Sequence, residues 1–285
     1  MQKRFTSIFL SILVMSGCGT IESTKPTEAT FSEAAEALIQ QMAALDEENY
    51  NTATADGLKI SPTSDKKSFY GTWTPEGFNP ETDGFIVALH GHGGFVSSGF
   101  EAWKPYLDEY HYGYLGLQWW FGEGESIDDY YTPTEMLPLI QAALAEQGIP
   151  AGKILFEGFS RGATNTYAME ALDKTSANPL FLMTVANAGG FIADYPPTAE
   201  IINGVFGESP FDGTHWVLYC GELDTTLNST CSDMENTKAS IENYGGAVDL
   251  FIQDSTEGHG GFHMNSANTK AALDLYEKLR QTPNP

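Results

Sequence analysis

Ser160 lies between Gly158 and Gly162 in the pattern G-x-S-x-G. A strand-like run, residues 153–159, precedes it and a helix-like segment follows, so the serine stands at a turn from a predicted strand to a predicted helix. Glycines on both sides of such a turn remove side chains that would clash there, and the turn exposes the serine hydroxyl. A hydroxyl in this position can attack a carbonyl carbon when a base removes its proton.

His259 is the base that the sequence favours. It follows the last predicted strand in the stretch S-T-E-G-H-G-G-F-H and precedes the last predicted helix. Because the loop is rich in glycine and leaves the carboxyl end of a strand, it can bend toward Ser160. His263, in the same loop, is the alternative base. His111 and His215 stand at predicted strand entrances, which is the opposite edge of the sheet.

A basic imidazole needs an acid that orients its ring. Asp224, in the stretch Y-C-G-E-L-D-T-T, follows the predicted strand before the last one and is the preferred acid. Glu222 lies just before it in the same loop. Asp194 and Asp254 follow neighbouring predicted strands, and all three remain alternatives.

The stretch L-H-G-H-G-G, Leu89–Gly94, follows another predicted strand. Its glycines allow backbone N–H groups to approach a negatively charged oxygen, and such donors stabilise an oxyanion strongly. The expected donors are the N–H of Arg161, directly after the serine, and the N–H of His92 or Gly93.

Four histidines raise the alternative of a zinc site, since imidazole is a common zinc ligand: His90, His92, His259 and His263. A catalytic zinc site usually adds a carboxylate ligand and requires its histidines to converge. The glycine-rich loop needs no metal to bind an oxyanion. We therefore expect neither a metal nor another cofactor.

Predicted strands and helices alternate along most of the chain, after a leading helix over residues 31–46 and a two-stranded hairpin over residues 58–75. Several of the later strands, such as residues 84–91, are apolar throughout, as in strands that are buried on both faces. This alternation predicts an α/β fold with a mostly parallel central sheet and helices on both faces. Binding sites of such sheets form at the carboxyl ends of the strands.

The order Ser160, Asp224, His259, with H-G-H-G-G upstream, resembles the α/β-hydrolase superfamily from about Gly84 to the C-terminus. The stretch I-P-A-G-K-I-L-F-E-G-F-S-R-G-A is similar to the nucleophile region of secreted esterases, including feruloyl-esterase and polyhydroxybutyrate-depolymerase-like families. Those families usually have C-x-G where this chain has H-G-G. The resemblance implies an α/β-hydrolase fold and ester hydrolysis through an acyl-enzyme intermediate. A serine peptidase on the same fold and a non-catalytic surface-binding lipoprotein remain alternatives.

Three aromatic residues leave a predicted strand at the same edge of the sheet: Trp119, Trp120 and Phe121, within Gln118–Glu125. They are predicted to form an aromatic wall for an acyl, aryl or sugar group, and the alternative for Trp119 is a place in the core. Residues 191–213 fall where this fold often carries a cap and are too short for a full helical lid. The sequence therefore predicts an open cleft, suited to a bulky, carbohydrate-linked or polymeric ester.

The N-terminal segment has the pattern of an export signal. Lys3 and Arg4 precede a short apolar run, residues 8–15, and small residues lead to Cys18. This resembles a bacterial lipobox, so residues 1–17 are predicted to be a signal peptide that is cleaved before Cys18, whose thiol is then lipidated. An ordinary secretory signal is the alternative.

The predicted mature chain begins with a flexible tether over residues 18–30, rich in Thr, Glu, Lys and Pro. Residues 31–285 are predicted to form a single catalytic domain. The expected location is outside the cytoplasm, as a lipoprotein of the bacterial outer membrane, periplasm or cell surface, or else as a secreted protein.

The chain is strongly acidic, with a net charge of −24. Such a charge repels nucleic acid and anionic polymers, so the expected partners are neutral or cationic substrates. Contact with a membrane is expected only through a lipid at Cys18. In an oxidising compartment Cys220 and Cys231 are expected to form a disulfide, which would staple the loop that carries Asp224.

Overall fold

The computed structural model describes residues 30–121 and 129–282. The predicted signal peptide, Cys18 and all of the predicted tether except Thr30 lie outside these residues. The same is true of residues 122–128, which follow the aromatic stretch.

A single sheet runs through the described part of the chain, with the strand order β1-β2-β4-β3-β5-β6-β7-β8. The first hairpin is antiparallel, β2 pairs antiparallel with β4, and every other neighbouring pair is parallel. The strands are β1 Lys59–Pro62, β2 Phe69–Trp73, β3 Phe85–Leu89, β4 Gly113–Leu117, β5 Ile154–Phe159, β6 Phe181–Asn187, β7 His215–Gly221 and β8 Ala247–Asp254.

The helices that pack on this sheet are α1 Glu33–Leu45, α2 Glu47–Ala55, α3 Val96–Tyr110, α4 Pro133–Glu146, α5 Arg161–Lys174, α6 Pro196–Ile202, α7 Cys231–Asn243, α8 Gly261–Met264 and α9 Ser266–Gln281. Side chains of α1, α2, α3 and α9 share one hydrophobic cluster on one face. Those of α4, α5, α6 and α7 form two clusters on the other face. The predicted α/β fold, with a mostly parallel sheet between two helical layers, is confirmed.

The central strands are buried because both faces are covered. Every residue of β3 and of β4 is buried. Apolar strands of this kind cannot face water on either side, so the continuous apolar runs in the sequence find their place between the two helical layers. The predicted hairpin also forms, since β1 and β2 pair antiparallel from Lys59–Thr72 to Pro62–Phe69.

Helix α4 begins as its sequence predicts. The carboxylate of Glu135 accepts a hydrogen bond from the backbone N–H of Thr132 at 2.9 Å, which closes the capping box. Pro133 occupies the first turn, where its missing N–H leaves no backbone acceptor unsatisfied.

Three short helices were not predicted: α2, α6 and α8. They contain few buried apolar residues, so their sequences lack the helical periodicity that a longer amphipathic helix shows. The predicted cap segment, residues 191–213, contains α6 as its one helix. None of the helices among residues 30–121 and 129–282 is both long and apolar enough to cross a membrane.

Two acidic side chains of α5 are buried against β6. Glu170 accepts a hydrogen bond from the Thr184 hydroxyl at 2.5 Å, and Asp173 accepts one from the backbone N–H of Leu180 at 2.7 Å. Burial raises the pKa of Glu170 to about 8 and the pKa of Asp173 to about 6, because the charged carboxylates lose their hydration. Glu170 therefore remains protonated in the folded protein at neutral pH.

We predict that Glu170→Gln flattens the dependence of stability on pH. Between the ordinary carboxyl pKa of 4.5 and the raised pKa of about 8, the unfolded chain releases a proton that the folded protein keeps. The free energy of unfolding of the wild type therefore falls through this window, and a glutamine has no proton to release. Urea unfolding of both proteins at several pH values tests this. A stability difference that stays constant across the window would contradict the prediction.

Candidate active site

Ser160 occupies a strained turn between β5 and α5. Its backbone dihedrals are φ 55° and ψ −117°, a region that residues with a side chain rarely adopt. Its N–H donates to the carbonyl of Asn187 at 2.8 Å, which holds the turn against the end of β6. Such strain persists only where the surrounding structure imposes it, and it is typical of functional sites.

The two glycines of the motif are required by close backbone contacts. A Cβ atom on Gly162 would lie 2.4 Å from the carbonyl oxygen of Leu89 and 2.6 Å from that of His90. A Cβ on Gly158 would lie 2.4 Å from the carbonyl oxygen of Gly162. No side chain fits at either position, so the start of α5 packs directly on the end of β3.

We predict that Gly162→Ala impairs both stability and activity. The added methyl group must push the loop after β3 away from Ser160, at a cost of about 1–3 kcal/mol in the free energy of unfolding. The same displacement lowers catalytic efficiency by about 100-fold. Gly258→Ala is the matched control, because the nearest contact of its added Cβ is an ordinary 3.7 Å. Equal losses in the two variants would contradict the explanation.

His259 lies in the loop after β8 and is hydrogen-bonded to both partners that the sequence assigns to it. Its Nε2 is 2.8 Å from the hydroxyl oxygen of Ser160, and its Nδ1 is 2.6 Å from a carboxylate oxygen of Asp224. The ring packs beside Phe159, with ring centroids 5.0 Å apart. The structure therefore brings the predicted serine, histidine and aspartate into one hydrogen-bonded chain at the carboxyl edge of the sheet.

Asp224 is held by its own loop and by the histidine loop. Its side chain is 1% exposed, and its second carboxylate oxygen accepts from the N–H of Thr226 at 2.8 Å. Leu223 donates its N–H to the carbonyl of Glu257 at 3.0 Å, which ties the acid loop to the histidine loop. A Cβ on Gly221 would lie 2.4 Å from that same carbonyl oxygen, so the two loops lie in direct backbone contact.

The alternative acids and the alternative base lie elsewhere. Glu222 and Asp194 are exposed to solvent. Asp254 is hydrogen-bonded by Thr256, Asn268 and Asn265, and these bonds hold its pKa far below the usual carboxyl range. His263 faces Glu157 instead of Ser160.

Cys220 and Cys231 form the predicted disulfide, with their Cα atoms 5.1 Å apart. Cys220 is the second-last residue of β7, and Cys231 is the first residue of α7. The bond closes the segment that contains Asp224, and a loop of this length contributes about 2–3 kcal/mol to stability.

We predict that loss of this disulfide lowers activity before it unfolds the protein. The loop that holds Asp224 gains freedom, and a displacement of the acid by about 1 Å costs about 100-fold in rate. Activity and near-ultraviolet circular dichroism, followed together during treatment with dithiothreitol, test this. The double variant Cys220→Ser/Cys231→Ser should respond no further to the reductant. Activity that simply follows global unfolding would contradict the prediction.

The glycine-rich loop after β3 folds back beside the nucleophile. Gly94 donates its N–H to the carbonyl of Gly91 at 3.1 Å, and Gly93 has a positive φ of 61°, as tight turns of this kind require. A Cβ on Gly91 would lie 3.3 Å from the Cβ of Ser160. Gly91, directly before His92, therefore packs against the serine, and the oxyanion role of the N–H groups of His92 or Gly93 stays a prediction.

His90 fixes the base of this loop. Its ring is buried and stacks on Trp119, with centroids 5.4 Å apart, and the indole N–H of Trp119 donates to the carbonyl of His90 at 2.9 Å. Burial lowers the pKa of His90 to about 4, so the ring is neutral at neutral pH. Because the unfolded chain binds a proton near pH 6.5 and the folded one does not, this histidine destabilises the fold as the pH falls from about 6.5 to about 4.

The three aromatic residues predicted to contact substrate have different environments. Trp119 is fully buried, so its ring has no surface for a substrate and it takes the place in the core that the sequence analysis left as its alternative. Trp120 stacks on His92 with centroids 3.9 Å apart. Phe121 is partly exposed and packs edge-on against Tyr131. Trp120 is buried as well, so of the three only Phe121 has appreciable exposed surface.

Helix α1 contributes to the surroundings of the site, which the sequence did not suggest. A groove of about 340 Å³ runs between α1 and the glycine-rich loop. Its walls include Leu38, Gln41 and Leu45 of α1, with His92, Gly93, Trp120 and Phe121 on the opposite side.

The side chain of Arg161 lies between two aromatic rings. Its guanidinium is 5.5 Å from the ring centroids of Tyr130 and of Tyr195, and the hydroxyl of Tyr195 donates to Asn165 at 2.6 Å. The cation is thereby held beside the first turn of α5, where its backbone N–H follows the serine directly.

The four histidines considered for zinc have separate environments. His90 and His92 stack on different tryptophans, His259 bonds to Ser160, and His263 faces a glutamate. Within residues 30–121 and 129–282, no three His, Cys, Asp or Glu side chains are grouped as metal ligands.

Comparison with solved structures gives three informative likenesses. A thermostable esterase has a TM-score of 0.53 at 17% identity, covering 77% of this chain and 62% of that one. An esterase of Thermogutta terrifontis with butyrate bound has a TM-score of 0.56 at 14% identity, covering 80% and 97%. Fungal esterases of Rhizomucor miehei have a TM-score of 0.59 at 12% identity, covering 89% and 98%.

This chain thus spans less than two thirds of the thermostable esterase and nearly all of the other two. No protein-family model matches the sequence, and no curated protein matches it either. The similar structures and the sheet topology together establish that the chain has the α/β-hydrolase fold.

Proposed function

We propose that the protein is a serine hydrolase that cleaves carboxylic esters. One observation carries this proposal: Ser160, His259 and Asp224 form a continuous hydrogen-bonded chain at a strained turn, next to a glycine-rich loop. A serine that is held only for structure needs neither a histidine on its hydroxyl nor a buried acid behind that histidine.

The reaction follows from these positions. Nε2 of His259 takes the proton of Ser160 as the hydroxyl oxygen attacks the ester carbonyl carbon. The carboxylate of Asp224 accepts a hydrogen bond from Nδ1–H and stabilises the imidazolium that forms. The negative oxygen of the tetrahedral intermediate receives hydrogen bonds from the backbone N–H of Arg161 and of His92 or Gly93.

His259 then gives its proton to the leaving alkoxide, and the carbon–oxygen bond of the ester breaks. The acyl group remains on the oxygen of Ser160. A water molecule, deprotonated by His259 in the same way, attacks this acyl-enzyme and releases the acid. Each proton taken by the histidine is returned, so the cycle needs no cofactor.

The structural neighbours support an ester substrate. They include several esterases, and one of them, Thermogutta terrifontis esterase 2, is known phosphoramylated by tabun, with a TM-score of 0.57 to this chain. By analogy, Ser160 of this chain should react with an organophosphorus probe.

A bulky, carbohydrate-linked or polymeric ester is the substrate class that we favour. The segment over residues 191–213 contributes one short helix, and large apolar side chains are exposed in the segments after β7 and β8, namely Leu223, Leu227 and, at the end of α8, Met264. An open rim of this kind leaves room for a substrate that extends beyond the cleft. The acidic surface favours a neutral one.

Export remains part of the proposal. A disulfide that encloses the acid loop is suited to an oxidising compartment. We propose that a signal peptide directs the chain there and that a lipid on Cys18 attaches it to a membrane. Mass spectrometry of the cell-envelope fraction tests this, since a diacylated N-terminal peptide supports it and a retained residue 1–17 segment overturns it.

We predict that Ser160→Ala abolishes both ester hydrolysis and labelling by a fluorophosphonate probe. Removal of a triad serine lowers kcat by about 10⁶-fold, and Asp224→Asn should cost about 10⁴-fold because the histidine ring adopts the wrong tautomer. Ser240→Ala and Asp194→Asn, on the exposed surface, are the matched controls.

A panel of 4-nitrophenyl esters and peptide substrates distinguishes an esterase from a peptidase that uses the same site. Cleavage of peptides in preference to esters would identify a peptidase. Full activity of Ser160→Ala, or absence of labelling in the wild type, would show that Ser160 is no nucleophile and that the fold serves binding instead.

A further inference from the structure

A cavity of about 310 Å³ lies beside the triad, between the first turns of α3 and helix α8. None of the three triad residues lines it, but Phe159 and Gly260 do, and these adjoin Ser160 and His259 in the chain. The glycine-rich loop after β3 forms another side. A substituent of an ester bound at Ser160 therefore has a path into this space.

The walls of the cavity are mainly apolar. Leu89, Gly99, Ala102 and Phe159 contribute to them. Met264, which is 77% exposed, lies where the cavity opens, whereas Glu157 and Asn187 are almost fully buried at its inner end. The cavity is thus mainly apolar, with polar side chains of Ser98, His90 and His92 along its walls and the buried pair Glu157 and Asn187 at one end.

Glu157 is an unusual residue for such a place. It lies in β5, it is 3% exposed, and a buried carboxylate is costly unless it is hydrogen-bonded. Asn187 donates to one of its oxygens at 3.0 Å, and the indole of Trp103 approaches the other at a long 3.4 Å. The proposed ester chemistry assigns no role to this carboxylate.

His263 completes the inner end. Its Nε2 lies 3.9 Å from the Glu157 oxygen that Asn187 also approaches, which is too far for a direct hydrogen bond. Its ring is fixed edge-on between Trp103 and Phe262, with centroids 4.8 Å and 4.9 Å away. The buried Oδ1 of Asn187 has no hydrogen-bond partner among the described residues.

We propose that this cavity is a specificity site for an ester substituent that ends in a hydroxyl group. A hydroxyl at the inner end can donate to the carboxylate of Glu157 and accept from Nε2 of His263, so it bridges the two side chains. With the imidazole hydrogen on Nε2, His263 can only donate there, so an ammonium group would find a partner in Glu157 alone, and a carboxylate would be repelled by Glu157. The proposal rests on the ester hydrolysis proposed above and adds the chemistry of the substrate to it.

The hydroxyl could belong to either half of the ester. If the leaving alcohol fills the cavity, the substrate is a monoester of a diol. If the acyl chain fills it, the substrate is an ester of an ω-hydroxy acid. Both present the same group to Glu157 and His263, and the experiment separates them.

The experiment measures kcat/KM for matched pairs of esters. One arm compares alkyl acetates with ω-hydroxyalkyl acetates and varies the alcohol from four to eight carbons, roughly the reach of the cavity. The other arm compares ethyl alkanoates with ethyl ω-hydroxyalkanoates and varies the acyl chain over about the same lengths. A built site for a hydroxyl should favour the hydroxylated member by about 10-fold or more in one arm, at one chain length. Ratios near one in both arms would overturn the proposal.

Variants locate the preference in the cavity. Glu157→Gln and His263→Phe should each lower the hydroxyl preference by about fivefold or more, since the first replaces a charged acceptor by a weaker neutral one and the second removes the donor. Ala102→Phe should fill the cavity and lower the activity ratio of the long esters to ethyl acetate. Glu170→Gln, a buried glutamate on the other face of the sheet, is the matched control and should leave every ratio unchanged.

The outcomes separate this inference from the proposed function. If the wild type hydrolyses ethyl acetate but has equal kcat/KM values for the hydroxylated and plain esters, only the specificity site is overturned. A wild type that hydrolyses none of these esters and is not labelled by a fluorophosphonate overturns both. Should Glu157→Gln fail to fold, His263→Phe and Ala102→Phe still test the site, because neither removes the buried carboxylate.

Discussion

The backbone contact between the start of α5 and the end of β3 is the constraint on which the site depends. Gly162 packs so closely on the carbonyls of Leu89 and His90 that no Cβ fits between them. The serine turn and the glycine-rich loop are therefore fixed relative to each other by main chain, without any dependence on side-chain rotamers. A nucleophile and its expected oxyanion donors gain from this, since pre-set donors need no rearrangement when charge develops.

The histidine and the acid come from the other end of the chain and are held in a different way. The loops after β7 and β8 are joined by backbone contacts of Gly221 and Leu223 with Glu257, and by the side-chain bond between Asp224 and His259. The two loops are therefore connected to each other, and they contact Ser160 through His259. The site thus combines a packed half, built on the sheet, with a hydrogen-bonded half that a disulfide encloses.

Local patterns in the sequence were sufficient to predict the mostly parallel sheet and to select Ser160, His259 and Asp224, because parallel strands deliver their carboxyl ends to one edge. They were insufficient where direction matters. Strand β4 ends at Leu117, before both Trp119 and Trp120, and both rings are buried in one hydrophobic cluster, yet only Trp120 stacks on His92 of the glycine-rich loop. The sequence placed Glu157 within a strand, which is correct. Only the packing of α3 and α8 shows that its side chain also lines a cavity.

Helix α1 belongs to the part of the chain that the site needs, although it precedes every strand of the sheet. It buries Ala35, Leu38 and Met42 in the core, and the hydroxyl of Ser32, which caps the helix, also donates to the carbonyl of Lys66 at 2.6 Å. Its outer side forms one wall of the groove beside the glycine-rich loop. A truncated version that started at the first strand would keep every residue of the triad but would open that groove to solvent. The shortest chain that preserves the site therefore starts at about Ser32, well before the sheet.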